Sequence, residues 1–255
     1  MGRAALPSRT DGLFEGNCQR TLRHIKREHL YRDRGSHMRA DRNQGAAPFV
    51  PEGRTLAILG EAVQKCHGCD LYRSATRAVF DELETRPKSK KHEVAIMMIG
   101  EQPGDQEDKQ GRPFVGPAGK LLDKCLEDAG IYLRTVYITN TVKHFKWEAR
   151  GKIRIHKKPN MSEVRACRPW LQAELETVRP KLIVCLGAVA AQSLLGSGFK
   201  ITQSHGQVQE AEGFPPIIAT LHPSAILRAR NAEDRHGQMK ILVDDLRQAA
   251  GHLSA

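Results

Sequence analysis

The sequence predicts an α/β protein, a three-layer α/β/α sandwich with a mainly parallel central sheet. Two observations lead there. Short runs rich in Ile, Val and Met alternate along the chain with segments of helical spacing, the order that builds parallel strands joined by helical crossovers. Three of the apolar runs also end in polar turns, "GEQPGDQED" (100–108), "TNTVKHF" (139–145) and "LHPSAILR" (221–228). In an open parallel sheet such turns lie beyond the carboxyl ends of the strands, where ligands bind, so the three are expected to converge.

Taken in order, "RTLAILGEAVQKC" (54–66) reads as an amphipathic helix running into "CHGCDLYRSATRAVF" (66–80), a turn holding two cysteines. "HEVAIMMIG" (92–100) is an apolar strand, and "GPAGKLLDKCLEDAG" (116–130) a helix with a glycine stop. "TVYITNTVKHF" (135–145) is a second strand. The stretch "GKIRIHKKPN" (151–160), with four cations around one histidine, reads as a basic loop. "NMSEVRACRPWLQAELETVRP" (160–180) opens with Asn160 as N-cap and Glu163 three residues on, a capping box. "KLIVCLG" (181–187) and "AVAAQSLLG" (188–196) give a strand and a helix. "FPPIIATLHPSAILR" (214–228) gives a late strand entering a turn, and "EDRHGQMKILVDDLRQAAGHL" (233–253) the closing helix.

The 255 residues suit one or two domains. Residues 1–38 lack sustained periodicity and end in "GSHM", a cloning-junction pattern, so they read as a leader and 39–255 as a single domain. The leader holds eight Lys or Arg against four Asp or Glu, leaving +7 of the chain's formal +11 on the remainder. Nucleic acid is therefore the first partner to expect. There is no run of 18 apolar residues and no charged-then-apolar secretory order, so a soluble, cytoplasmic protein with no membrane partner is expected.

Of the six cysteines, Cys18 falls in the leader and Cys125 on the apolar side of a helix. Cys66-x2-Cys69 with Cys167 and Cys185 makes a four-thiolate set suited to zinc or to an iron–sulfur cluster. Cys185 equally suits a buried core cysteine, since it lies inside a strand. In "GEQPGDQED" and "GRPFVGPAG" (111–119), glycines at a strand end let backbone approach a flat ligand or a phosphate, and Phe114 supplies either a stacking face or core packing. His222 suits either a turn cap or a functional imidazole. His156, among cations that favour neutral imidazole, is either a solvated loop residue or a nucleophile.

In combination, "GEQPGDQED", "GRPFVGPAGKLLD", "TNTVKHFK", "KIRIHK", "HPSAILR" and the four cysteines resemble the uracil-DNA glycosylase superfamily. The likeness runs from about Leu56 to Leu246 and is nearest to the UdgX-like group, related to the family 4 iron–sulfur enzymes. Family 4 enzymes read G-E-[AG]-P-G where this chain has Gln102, and they lack the basic K-R-R-I-H insertion of UdgX-like proteins. That insertion reads Lys152, Ile153, Arg154, Ile155, His156 here, with Ile153 replacing an arginine.

The resemblance implies a uracil-DNA glycosylase-like fold and removal of uracil from DNA, single-stranded DNA being favoured. Phe114 would stack on the uracil, Asn140 would read its Watson–Crick edge, and backbone around Gly104 would complete the pocket. His222 would stabilise the departing uracil anion. His156 would attack the sugar C1′ in place of water, leaving the protein covalently attached to the abasic site, with Gln102 and Glu101 orienting it and Asp105 positioning water or supporting the loop. Lys143, Lys152, Arg154, Ser224 and Arg228 would contact DNA. Cys66, Cys69, Cys167 and Cys185 would hold a 4Fe-4S cluster. A monomeric, prokaryotic, nucleoid-associated protein is implied. The alternative is a conventional multiple-turnover family 4 enzyme; a more remote one is a non-catalytic iron–sulfur or zinc protein that binds nucleic acid.

Overall fold

The computed structural model describes residues 45–53, 55–81 and 94–254, so the leader expected at 1–38 lies outside the described residues. Helix α1 (Leu56–Val63) starts where the Thr55 hydroxyl accepts a hydrogen bond from the Ile58 N–H at 3.2 Å. Strands β1 (Ile96–Gly100), β2 (Val136–Asn140), β5 (Leu182–Leu186) and β7 (Ile217–Thr220) are the apolar runs of the sequence. They pair in parallel in the order β2-β1-β5-β7, and the two-residue β6 (Val208–Gln209) closes the β7 edge antiparallel.

Period-two alternation divides the strand residues between the layers. Met98, Ile138, Val184 and Ile218 face α3 (Pro117–Asp128) and α8 (Ala232–Ser254), packing on Leu122, Leu126, Leu242 and Leu246. Met97, Tyr137, Ile183 and Ile217 face α4 (Met161–Val178) and α5 (Ala188–Leu195), packing on Leu171, Leu175 and Ala190. The sandwich expected from the sequence is the observed fold. Asn160 caps α4 as its pattern predicts: its Oδ1 accepts from the Glu163 N–H at 2.9 Å, and Glu163 Oε2 from the Asn160 N–H at 2.7 Å.

Residues 147–156 depart from the expected loop. They form an antiparallel hairpin, β3 (Trp147–Arg150) and β4 (Ile153–His156), whose turn uses Gly151 at φ +61°. The alternation Ile-Arg-Ile-His was masked by charge: Arg154 is the half-buried member of that strand, with its stem among aromatic rings, while Ile153 is 65 % exposed. The short helices α2 (Asp105–Gln110), α6 (Ile201–Ser204) and α7 (Pro223–Leu227) also went unread. Each is about a turn long, too short for periodicity to register.

Behind β2 lies a fully buried ion pair. Lys143 Nζ meets Glu174 Oε2 and also donates to Thr139 Oγ1 at 2.6 Å and to the Asn140 carbonyl at 2.9 Å. Glu174 Oε1 accepts from the Tyr137 and Thr139 hydroxyls, each at 2.8 Å. Lys143 is therefore not a DNA contact: the side chain expected to meet a phosphate is spent holding the end of β2, on which Asn140 stands.

Candidate active site

The ends of β1, β2 and β7 converge, as the polar turns predict, on a cavity of about 800 Å³. Its wall includes Glu101, Gln102, Gly104, Phe114, Asn140, His156, His222, Ser224 and Arg228. The helix α2 that follows β1 is capped by Gly104, whose N–H donates to Glu107 Oε2 at 3.1 Å, while the Gly116 N–H donates to Glu107 Oε1 at 2.7 Å. Glu107 thereby ties together the two loops that flank Phe114.

Phe114 has φ +53°, a left-handed conformation uncommon for a residue with a Cβ. It is held there because α3 packs directly on its carbonyl: a Cβ at Gly119 would stand 1.6 Å from Phe114 O. The ring lies 5.7 Å from that of His222, with planes 30° apart. Gly100, one of the glycines read as room for a ligand, makes room for protein instead. A Cβ there would lie 2.4 Å from Asn140 Oδ1 and 2.9 Å from the Phe114 ring, so a glycine is needed for the two to approach each other. Asn140 is 3 % exposed, and its Oδ1 is the buried side-chain oxygen without a partner among the described residues. A buried acceptor left unpaired at a cavity wall calls for a donor from a ligand.

His222 N-caps α7, and its Nδ1 receives the Ser224 N–H at 3.1 Å. A backbone N–H can only donate, so Nδ1 carries the lone pair and the ring proton sits on Nε2. Burial, then the charges of Arg228 and His156, lower its pKa to about 4, so it is a neutral donor at pH 7. Ser224, expected at a phosphate, instead lies with its hydroxyl 2.8 Å from the same Nδ1.

His156, last residue of β4, reaches the cavity with 49 % of its side chain exposed. Gln102 anchors the base of the hairpin: its Oε1 accepts from the Lys146 N–H at 3.0 Å, and its Nε2 donates to the carbonyls of Lys146 (3.2 Å) and Lys157 (3.0 Å). The same amide nitrogen lies 2.9 Å from His156 Nε2. Glu101 Oε1 lies 3.9 Å from His156 Nε2. Its carboxyl is raised by burial, against the opposing pull of Lys158 and Arg228. The pKa of His156 is lowered by burial first and by Arg228 second. The cation responsible stands on the far wall of the cavity, and the hairpin's own lysines and arginine are not the cause.

Arg154 has a different role from the phosphate contact expected of it. Its Nε donates to Asp105 Oδ1 and its Nη1 to Asp108 Oδ2, both at 2.6 Å, and the guanidinium lies 5.4 Å from the ring centres of Phe145 and Trp147. Asp105, held below the usual carboxylate range by Lys109 and Arg154, stands outside the cavity wall. Of its two expected roles it fills loop support: together they clamp the hairpin to α2. Lys152, exposed at the tip, and Arg228, in the cavity, remain free of ion pairs among the described residues. Arg154→Ala is expected to lower Tm and, by loosening the strand that presents His156, to slow any reaction of that imidazole about 10-fold or more. Melting curves and single-turnover rates on the same sample measure both.

Three of the four expected cysteine ligands gather in one place. Cys66, Cys69 and Cys167 pack with Val142, Val164 and Trp170. Burial raises the thiol of Cys167 to about 12, the neighbouring Cys69 and Cys66 adding to the rise. Yet N–H groups point at these sulfurs: Trp170 Nε1 to Cys66 at 3.1 Å, the Gly68 N–H to Cys66 at 3.5 Å, and the Lys143 N–H to Cys167 at 3.3 Å. Donors aimed at buried sulfur suit thiolates, which a metal would deprotonate. Among the described residues no three such side chains close on a point as the ligands of a single ion do; a polynuclear cluster spaces its ligands around a larger body. Cys185 does not join them. It is fully buried at the centre of the sheet, paired with Ile99 and Ala219, and burial alone raises its thiol. It is the core cysteine that its strand position allowed.

Comparison with known proteins agrees with this geometry. The family model of the uracil DNA glycosylase superfamily matches residues 87–247. The chain is 37 % identical over 197 residues to the type-4 uracil-DNA glycosylase of Thermotoga maritima, covering 76 % of this chain and 92 % of that protein. It is 36 % identical over 180 residues to the type-4 enzyme of Archaeoglobus fulgidus, covering 68 % and 83 %. A type-5 uracil-DNA glycosylase of Pyrobaculum aerophilum is 31 % identical over 172 residues, covering 61 % and 70 %. With the family model matching more than half of its length and relatives above 30 % identity covering most of it, the chain belongs to the uracil-DNA glycosylase superfamily.

Proposed function

We propose that this chain excises uracil from DNA and that His156 then captures the sugar, so that the protein ends bound to the abasic site. The observation that carries the second half is the position of His156, its ring on the cavity wall and its Nε2 2.9 Å from the Gln102 amide nitrogen that anchors the hairpin. A uracil on Phe114 would offer an edge N–H to the unpaired Asn140 Oδ1 and a carbonyl oxygen to the His222 Nε2–H. As the bond from C1′ to N1 breaks, its electron pair goes to the base, and the preorganised His222 donor stabilises the resulting anion. The Nε2 lone pair of His156 forms the new bond to C1′, and the Nδ1 proton leaves to solvent, restoring a neutral ring. An imidazole held in place outcompetes water because it is already at the carbon. Lys152 and Arg228 would face the phosphates. Single-stranded DNA is the favoured substrate, since no pair need open to release the base, and the protein acts as a monomer.

The type-4 relatives favour the other course, in which water takes C1′ and the enzyme turns over. A 4Fe-4S cluster on Cys66, Cys69 and Cys167 would be structural, tying the α1 segment to α4. The deciding experiment is a denaturing gel after mixing protein with uracil-containing single-stranded DNA. A shifted, heat-stable band is the expected result; an alkali-labile abasic product without the shift would return the chain to the multiple-turnover class.

Acid should affect the two steps differently. With burial and Arg228 holding the His156 pKa below the ordinary 6.5, the ring is neutral at pH 7. The adduct-forming rate is expected to fall with acid, as protonation removes the lone pair, and to do so at a lower pH than for an ordinary imidazole. In Arg228→Gln the fall should begin at higher pH, read by single-turnover rates across the range.

A further inference from the structure

We propose that Ile153 and Ile155 form an apolar shelf for the base next to the uracil in the same DNA strand, which makes Ile153 a positioning residue for the reaction. The proposal rests on the reading that the cavity takes uracil from DNA. Arg154 is turned back onto Asp105 and Asp108 of α2. Neighbours in a strand project to the opposite face, so Ile153 and Ile155 point away from α2. Ile155 lines the cavity, and Ile153 lies further along the same face, about 7 Å on at two residues' rise. They are 37 % and 65 % exposed. One exposed isoleucine is ordinary on a protein surface, but two in line, beginning at a ligand cavity, make an apolar path out of it. The charges beside the path suit DNA. Across the hairpin Ile155 faces Glu148, which Lys157 matches at 2.6 Å. Ile153 faces Arg150, and Arg150, Lys152 and Lys158 are exposed and make no ion pair among the described residues. A strip that is apolar along its middle and cationic at its borders fits a strand whose bases have flat apolar faces and whose phosphates run along its edge.

A base that enters the cavity leaves the stack, and its neighbour then shows one ring face to water. Proteins that open base steps fill them with side chains such as Ile, Leu, Met or Phe. Ile153 over that face removes apolar surface from water and fixes the neighbouring nucleotide. Contact with a base that does not react then holds C1′ where the reaction needs it. The hairpin borders one side of the cavity and Arg228 the other, so one neighbour of the uracil, not both, lies on the shelf.

The test measures binding, by fluorescence anisotropy, to single-stranded oligonucleotides carrying one 2′-fluoro-2′-deoxyuridine, which keeps its base because the fluorine disfavours positive charge at C1′. The uracil has both neighbouring bases, or a tetrahydrofuran without a base on its 5′ or its 3′ side; a matching oligonucleotide has thymine in place of uracil. The unaltered protein should lose about 10-fold in affinity when one of the two neighbouring bases is removed, and little when the other is. Ile153→Ser should bind the complete oligonucleotide about 10-fold more weakly and be indifferent to both neighbours, the two losses not adding because they remove the same contact. Ile153→Arg should lose the neighbour dependence in the same way, while its affinity falls more steeply with salt, by about one further phosphate contact. Because Ile153 is exposed, both variants should keep the Tm of the unaltered protein. An unaltered protein indifferent to both neighbours, or an Ile153→Ser variant that keeps the dependence, would overturn the shelf and leave Ile153 a strand former at the hairpin end, with uracil binding intact. No preference for uracil over thymine would instead remove the uracil reading itself, and the shelf with it.

Discussion

Lys143→Met is expected to destabilise the protein by about 3 to 5 kcal/mol, the usual cost of leaving one member of a buried ion pair alone. The carboxylate of Glu174 would keep the two hydroxyl donors of Tyr137 and Thr139 but lose its counter-charge in a site sealed from water. The Asn140 carbonyl would lose its Nζ donor as well, so the end of β2 that presents Asn140 should loosen. Adding Glu174→Gln removes the stranded charge while keeping an acceptor for both hydroxyls, and the double variant should recover much of the loss. Urea or thermal unfolding of the unaltered protein and the two variants measures it. A cost under about 1 kcal/mol for the single change would mean that Lys143 is not paired as described, and would reopen it as a surface cation.

The largest effect on chemistry is expected at His222. His222→Ala removes the single imidazole N–H directed at the base anion, and the loss of one preorganised donor to a developing charge slows such reactions about 100-fold. Cleavage and adduct formation should fall together, because both follow the same departure of uracil. Ser224→Ala should cost far less: the Ser224 backbone N–H that fixes the tautomer remains. Uracil release timed under single-turnover conditions separates the two. Equal losses in both variants would move the work from the ring to the serine hydroxyl.

Much of the sheet was legible because buried parallel strands are written as continuous apolar runs, and the turns at their ends carried the cavity residues Gln102, Asn140 and His222. What the sequence hid was direction. Lys143 and Arg154 look alike as cations near a pocket, but one points into the core onto Glu174 and the other sideways onto Asp105 and Asp108. Nothing local in the chain sets their partners, which come from 31 and 49 residues away. Cys185 looked like a ligand by spacing, but it is packed within the sheet against Ile99, Ala190 and Ala219, in a cluster separate from the one that holds the other three thiols. Gly100 and Gly119 were read as room for a ligand, but what they admit is protein: the Asn140 carboxamide, the Phe114 ring and the Phe114 carbonyl.

The central claim is that His156, rather than water, takes C1′. It is tested most directly by running His156→Ser beside the unaltered protein on one uracil-containing oligonucleotide, measuring released uracil and heat-stable adduct in the same samples. The substitution leaves the Phe114, Asn140 and His222 wall in place and opens space for water where the ring stood. The unaltered protein should release no more than one uracil per molecule, matched by adduct. His156→Ser should form no adduct, go on releasing uracil slowly and leave an abasic product. Adduct formed by His156→Ser at the unaltered rate would contradict the account and leave His156 a solvated residue at the edge of the pocket.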